Sequence, residues 1–231
     1  MLSFNTAKHI RPRHLRKIFL LVAVASSLIL QGCSVVGVRT TEEAVYTLVK
    51  QENDFEIRQY ASVMAVQTYV DQEDFDDASG IAFRRLFDYI TGNNLSTDDI
   101  AMTAPVIASP AAANKSQKIA MTSPVIATPK KTNETGWTLS FVLPASFTAA
   151  NSPSPTDPSV KLTELPEKTV AAIRYTGLWD NERFETQTEM LHNWLKDNGY
   201  QSISGPSYAG YDPPWALPFL RRNEVLIDVQ P

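Results

Sequence analysis

Beyond residue 33 the chain carries one histidine, His192, and no cysteine. That inventory narrows the chemistry at once. A Ser-His-Asp relay would have to run through His192, and no such set assembles along the chain. With no thiol after Cys33, there is no disulfide and no cysteine-ligated metal. The acidic runs Glu42-Glu43, Asp71 to Asp77 and Asp98-Asp99 have no His or Cys partner. They suit helix starts and solvated loops better than metal sites. No Gly-rich phosphate loop follows a strand.

The most distinctive pattern is a repeat. Residues 100–108 read IAMTAPVIA and residues 119–127 read IAMTSPVIA, differing only at Ala104 against Ser123. Two copies are too few for a solenoid. Each is a β-branched apolar segment with one proline, which predicts two neighbouring strands near a sheet edge, because proline has no N–H to give to a ladder. Ser109 to Lys118 would be the loop between them.

The elements around this repeat follow from periodicity. A basic start (His9, Arg11, Arg13, His14, Arg16, Lys17) precedes an apolar run from Ile18 to Leu30, which has signal-peptide length. It ends in Leu30-Gln31-Gly32-Cys33, which resembles a bacterial lipoprotein cleavage box with Cys33 as the lipidated residue. Residues 1–32 are therefore read as a leader and 33–44 as lipidated cysteine and tether. Residues 45–231 are the domain. A multiply acylated Cys33 would hold the protein stably on a membrane. Ser34, where inner-membrane retention uses Asp, favours the outer membrane facing the periplasm. After cleavage 16 basic residues face 25 acidic ones, a net charge of −9. That balance argues against nucleic acid as a partner.

Tyr46 to Lys50 and Phe55 to Tyr60 alternate as strands about a turn at Asn53-Asp54, and Met64 to Val70 continues the sheet. From Asp74 to Ile90 the period becomes helical: Phe75, Ser79, Ala82, Phe83, Leu86, Phe87 and Ile90 form one stripe. Asp71, Asp74, Asp76 and Asp77 crowd its start, and Gly92 follows its end. After the repeat come a strand from Trp137 to Leu143, a Pro-rich loop over 144–159, and strands over Val160 to Tyr175 with a bend at Pro166-Glu167. A second helix spans about Asn181 to Asn198, with Phe184, Gln187, Leu191, Trp194 and Leu195 buried and Gly199 as cap. Tyr208 to Tyr211 and Glu224 to Val229 close the chain as strands. The order predicts an α+β domain of two pseudo-symmetric halves, each an antiparallel sheet with one helix, and a cleft between them.

Four segments in order resemble the SOUL haem-binding family: Tyr46 with Phe55-Glu56-Ile57-Arg58-Gln59-Tyr60, the twin Met-Thr-x-Pro-Val strands, Gly210-Tyr211-Asp212-Pro213-Pro214, and Arg221-Arg222-Asn223-Glu224-Val225. The resemblance implies a distorted α/β barrel and non-covalent binding of haem or a related tetrapyrrole, by a carrier, scavenger or sensor rather than an enzyme. Covalent attachment is excluded, since no Cys-x-x-Cys-His is present. Haem needs a flat apolar slot and a cationic rim for two propionates. Met102, Met121, Tyr211, Trp215, Leu217 and Phe219 are available for the slot. Arg84 and Arg85 on the first helix, with Arg221 and Arg222, are available for the rim; ion pairing within the fold is the other reading of these arginines. His192 is the one candidate axial ligand, and a half-exposed helix residue is its other reading. The resemblance implies, from the family's animal members, haem held largely by apolar contact with basic residues on the first helix and just after the Pro-Pro; here Asp88 lies on that helix and Trp215-Ala216-Leu217 follows the Pro-Pro. The gyrase-inhibitor-like proteins are similar in two-half order. They imply an alternative, a hydrolase or sequestering protein for hydrophobic small molecules, using Glu164, Glu167, Tyr175 and Trp215. A structural envelope lipoprotein is the third reading.

Overall fold

The computed structural model describes residues 41–96, 115–130 and 135–230. The first half runs β1 (Glu42–Glu43), β2 (Tyr46–Glu52), β3 (Phe55–Tyr60), β4 (Val63–Val70), α1 (Phe75–Thr91), β5 (Asn94–Leu95), β6 (Thr122–Ser123), β7 (Val125–Pro129), β8 (Trp137–Val142) and β9 (Ser154–Pro155). The second runs β10 (Val160–Leu165), β11 (Lys168–Tyr175), α2 (Asn181–Asp197), β12 (Gln201–Ser202), β13 (Ser207–Gly210), a 3-10 turn at Pro218–Leu220, and β14 (Asn223–Gln230). Ten strands form one antiparallel sheet in the order β10-β4-β8-β7-β13-β14-β11-β3-β2, with β12 added against β14.

A pseudo-twofold relation is visible in that order. β4-β8-β7 on one side mirrors β11-β14-β13 on the other, and the halves meet where Ile126 of β7 pairs with Ala209 of β13. The leading strand of each half is exchanged: β3 pairs with β11 through Ile57 and Ala171, and β10 pairs with β4 through Leu162 and Val66. This is the expected α+β architecture, a curled half-barrel with one main helix per half.

Both helices lie on one face of the sheet and share its core. Asp74 caps α1 by accepting from the Asp77 N–H at 2.9 Å, and Asp76 and Asp77 add charge that suits the helix N-terminus. Phe75, Ala78, Ala82, Leu86, Tyr89 and Ile90 form its inner face. Phe87, expected in that stripe, is instead 43 % exposed and stacks on Phe83. It sits one position past Leu86, about a quarter-turn around the helix, while Ala78 and Tyr89 take the inward positions. α2 is capped by Asp180 and buries Phe184, Leu191, Trp194 and Leu195. Phe75, Trp137, Phe184 and Tyr208 interlock where the helices meet the sheet, with Phe184 stacked on Tyr208.

Two expectations are corrected. The second copy of the repeat forms β6 and β7, and β7 lies between β8 and β13 in the middle of the sheet rather than at its edge. Proline is tolerated there because Pro124 falls in the break between β6 and β7, where the ladder asks for no N–H. The first copy, with Met102, lies outside the described residues. The fold also begins within the stretch expected as tether: Glu42–Glu43 pair in parallel with Thr122–Ser123, and the Ala44 N–H donates to the Ser123 carbonyl at 3.0 Å.

Candidate functional site

Strand alternation sorts the sheet into two faces. On β3, Ile57 joins the core under the helices, while Glu56, Arg58 and Tyr60 point to the helix-free face; on β14, Val225, Ile227 and Val229 go one way, Glu224 and Leu226 the other. Arg58 and Glu224 are nonetheless fully buried, 1 % and 0 % exposed. Arg58 grips Glu224 with two bonds, Nη1 to Oε2 at 2.6 Å and Nη2 to Oε1 at 2.9 Å. Its Nε donates to Glu56 at 2.7 Å and its Nη1 to the Tyr60 hydroxyl at 3.2 Å. Glu224 also accepts from the Tyr211 hydroxyl at 2.8 Å and from Arg222 Nε at 2.9 Å, and Arg222 reaches Glu43 at 3.0 Å. The Arg58 guanidinium lies 4.5 Å from the Tyr46 ring centroid and that of Arg222 lies 3.9 Å from the Tyr211 centroid, both within cation–π range.

Burial alone would push the Glu224 carboxyl up, but the Arg58 bridge, Arg222 and the Tyr211 hydroxyl more than offset it and hold it below the usual range. Burial, then the nearby Glu224 charge, pushes the Tyr211 hydroxyl well up. An ionised, fully bonded carboxylate is a poor proton acceptor. The cluster therefore positions rather than reacts: it ties β1, β2, β3 and β14 to the segment that follows β13.

One hollow opens on the helix-free side and a second at the end of the sheet where the chain enters. One, of about 110 Å³, is lined by residues such as Tyr60, Gln67, Ile126, Ser140 and Leu226. It is smaller than the roughly 300 Å³ at which ligand pockets begin. The other is a groove of about 550 Å³ between the β1–β2 entry and residues 143–149. Glu42, Glu43 and Glu164 border it, and no Lys, Arg or His is among its lining residues. Among the described residues, the groove offers no cation to a pair of propionates.

The segment 211–222 is different. It is closed by the Tyr211 N–H to the Arg222 carbonyl at 3.1 Å, and Asp212 accepts from the Arg222 N–H at 2.6 Å. Arg221 folds inward, donating from Nε to the Ala216 carbonyl at 2.9 Å and from its guanidinium to the Pro214 carbonyl. Ala216 is buried, while Trp215, Leu217 and Phe219 are 66, 41 and 67 % exposed. Exposed Leu178 is brought alongside by the Gly177 N–H, which donates to the Pro218 carbonyl at 3.0 Å. A hydrogen-bonded backbone thus displays a shelf of large apolar side chains beside one arginine. The segment offers exposed apolar side chains and one guanidinium, which is already bonded to the Ala216 and Pro214 carbonyls.

The other candidate residues are dispersed. Arg84 is exposed on α1, and Arg85 donates to Thr68 Oγ1 at 3.4 Å and the Tyr69 carbonyl at 3.2 Å. The first turn of α1 adjoins the shelf through Phe75 against Trp179, whose ring lies beside Gly210. Arg85 is ten residues farther on, about 15 Å along the axis. Met121 is half-buried against the core, and His192 is exposed on α2. Arg222 takes the ion-pairing role, to Glu43 and Glu224. Met102 and Cys33 lie outside the described residues. Of the hydrolase set, Glu164 accepts from Ser62 and Glu167 from Gln59 on either side of the β10–β11 bend. Tyr175 is buried on the helix side, and Trp215 stands on the shelf. They do not form one site.

Arg58 and Glu224 were not singled out by sequence reasoning, although both stand inside the segments that carry the family likeness. The available signal was a charged residue between aromatic ones on an alternating strand, matched by an opposite charge in a second such strand. Read alone, each looks like a solvent-facing position.

The fold is an α+β half-barrel of two βαββ-like units, and in this chain a buried arginine–glutamate pair ties the units' strands together. The family model described as SOUL heme-binding protein matches residues 41–114 and 110–228, and the chain belongs to that family. It is 26 % identical over 171 residues to Heme-binding protein 1 of Xenopus tropicalis, covering 74 % of this chain and 81 % of the relative. To Heme-binding protein 2 of Mus musculus it is 29 % identical over 178 residues, covering 76 % and 78 %. The crystal structure of the EcmrR C-terminal domain superposes with a TM-score of 0.52 at 14 % identity, covering 80 % of this chain and 98 % of that one. That likeness is one of fold.

Proposed function

We propose that this protein binds haem or a related tetrapyrrole non-covalently on the 211–222 shelf, as a lipid-anchored carrier, scavenger or sensor of the cell envelope, at the outer membrane facing the periplasm. One observation carries the placement: Tyr211, Trp215, Leu217 and Arg221 stand on a single braced segment, with Phe219 and Leu178 completing an exposed apolar surface. Family membership and the heme-binding relatives support the ligand. In this reading Trp215, Leu217 and Phe219 contact the macrocycle. Arg221 supplies positive charge at the rim. Tyr211, locked to Glu224, holds the segment's base. Bound haem would bring its iron, with ligand-exchange and one-electron chemistry. His192 is the candidate axial ligand, though its place on α2 gives it no contact with the shelf. The hydrolase alternative wants a cleft carboxyl with raised pKa, and the buried carboxyl here, Glu224, moves the other way.

The test is hemin titration of residues 34–231, a segment that contains every described strand, helix and core residue. Saturable one-to-one binding with a shifted Soret band is expected, with affinity falling about tenfold or more in Trp215→Ala, since burying a large apolar side chain is worth roughly 1.5–3 kcal/mol. Loss of the Soret shift in His192→Ala would assign the axial ligand. A flat titration would remove haem.

A further inference from the structure

The shelf has a second property, which comes from where the chain enters the fold. Thr41 Oγ1 lies 2.7 Å from Ser123 Oγ, and Ser123 Oγ donates to the Tyr211 carbonyl at 3.4 Å. Two residues on, Glu43 is bridged to Arg222 at 3.0 Å. The point at which the chain emerges from its N-terminal segment is thus fastened to both ends of the 211–222 segment. Seven residues, 34–40, separate Cys33 from Thr41. Cys33 to Thr41 is eight steps along the chain, and at no more than about 3.6 Å each they reach at most about 29 Å. Any lipid on Cys33 therefore holds that end of the domain within a few nanometres of the bilayer.

At the same end stand four exposed apolar side chains, Leu178, Trp215, Leu217 and Phe219, on two loops joined by the Gly177–Pro218 hydrogen bond. Large apolar side chains exposed together on two hydrogen-bonded loops are the kind of surface that serves interaction. Trp with Leu and Phe is a composition suited to the boundary between headgroups and acyl chains.

We infer that the Trp215–Phe219 shelf seats in the headgroup layer of the membrane and docks the domain there, shelf down. The contact is apolar and not electrostatic: the net charge of −9 carried by residues 33–231 opposes an anionic surface. The inference rests on the lipid-anchor reading for its tether but not for the shelf's own affinity. It deepens the haem reading too, because a tetrapyrrole site seated in the headgroup layer meets its apolar ligand at the bilayer.

Two measurements test it, both without haem. In the first, full-length lipidated protein is reconstituted into phosphatidylcholine vesicles carrying brominated acyl chains, and tryptophan emission is read. Trp137 and Trp194 are buried in the core and Trp179 half-buried, so quenching that disappears in Trp215→Phe reports the shelf. In the second, unlipidated residues 34–231 are floated with neutral phosphatidylcholine vesicles and with vesicles containing phosphatidylglycerol. Flotation is expected with both, no stronger on the anionic ones, and about tenfold weaker in each of Trp215→Ser and Phe219→Ser. Phe87→Ser, an exposed aromatic on α1, should leave it unchanged. Absence of quenching in a lipidated chain overturns the inference while the anchor stands. Flotation that survives the Trp215→Ser/Phe219→Ser pair overturns it as well. So does a dimer in sedimentation that both substitutions dissolve without any flotation, because the occupant is then a second copy of the chain. Shelf-dependent flotation beside a flat hemin titration would leave the docking and remove haem.

Discussion

At the scale of single residues, the Arg58–Glu224 pair is the most consequential feature. Two charges buried this deeply are costly unless every donor and acceptor is satisfied, and here Glu56, Tyr60, Tyr211 and Arg222 complete the set. Removing one partner leaves an uncompensated buried charge. Glu224→Gln should therefore cost about 3–5 kcal/mol in urea unfolding, while a paired Arg58→Met/Glu224→Leu change should recover much of that loss. The pH dependence has a definite sign. The carboxyl is held below its ordinary value of 4.5 in the folded protein, so the unfolded chain takes up the proton first. Its contribution is fully present above about 4.5 and is lost as pH falls through the lower folded value. Acid unfolding of the Glu224→Gln variant should show a shallower slope across that window; equal slopes would place the acid sensitivity elsewhere.

At the scale of elements, the two helices were readable because their caps and their 3.6-residue stripes agree. Asp74 and Gly92 stand where local rules put them, while the second helix is capped by Asp180 and Asn198, one residue before the expected Gly199. The central position of β7 was not readable, because a proline-bearing strand obeys the same local rule whether it lies at an edge or is broken at the proline. One turn carries a testable constraint. Gly136, which opens β8, has φ +102°, and a Cβ there would lie 2.6 Å from the Val70 carbonyl oxygen and 2.8 Å from Tyr69 Cε2. Gly136→Ala should destabilise the domain by about 1–3 kcal/mol, seen as a lowered Tm. Gly80→Ala, a helix position with open space around it, should be neutral or slightly stabilising by the same assay.

At the scale of the whole molecule, exchange of β3 and β10 between the halves makes each half depend on the other. β3 finds its inner partner in β11, and β4 finds its outer partner in β10. Residues 34–159 alone should therefore lack fixed tertiary structure by near-ultraviolet circular dichroism, and mixing with residues 160–231 should restore it. A native-like spectrum from the first fragment alone would show that the halves are independent. The exchange also explains the placement of the ion-pair cluster. Arg58 and Glu224 are 166 residues apart in the chain, yet they meet diagonally across β11, where Arg58 is opposite Val170 and Glu224 opposite Arg174.

Much was determined by the sequence alone: the order of strands and helices, the two-half organisation, the acidic balance and membership in the haem-binding family. These follow from short-range periodicity, capping chemistry and motifs kept in order. The tertiary structure decided which face of each strand is closed off, and hence that Arg58 and Glu224 form a buried lock rather than a solvated surface. It also decided that Trp215, Leu217 and Phe219 face outward, gathered at the end where the chain enters the fold, while His192 and Arg84 stand apart on the helices. Alternation along a strand separates two faces but cannot say what covers either one. Only contacts between residues far apart in the chain determine that.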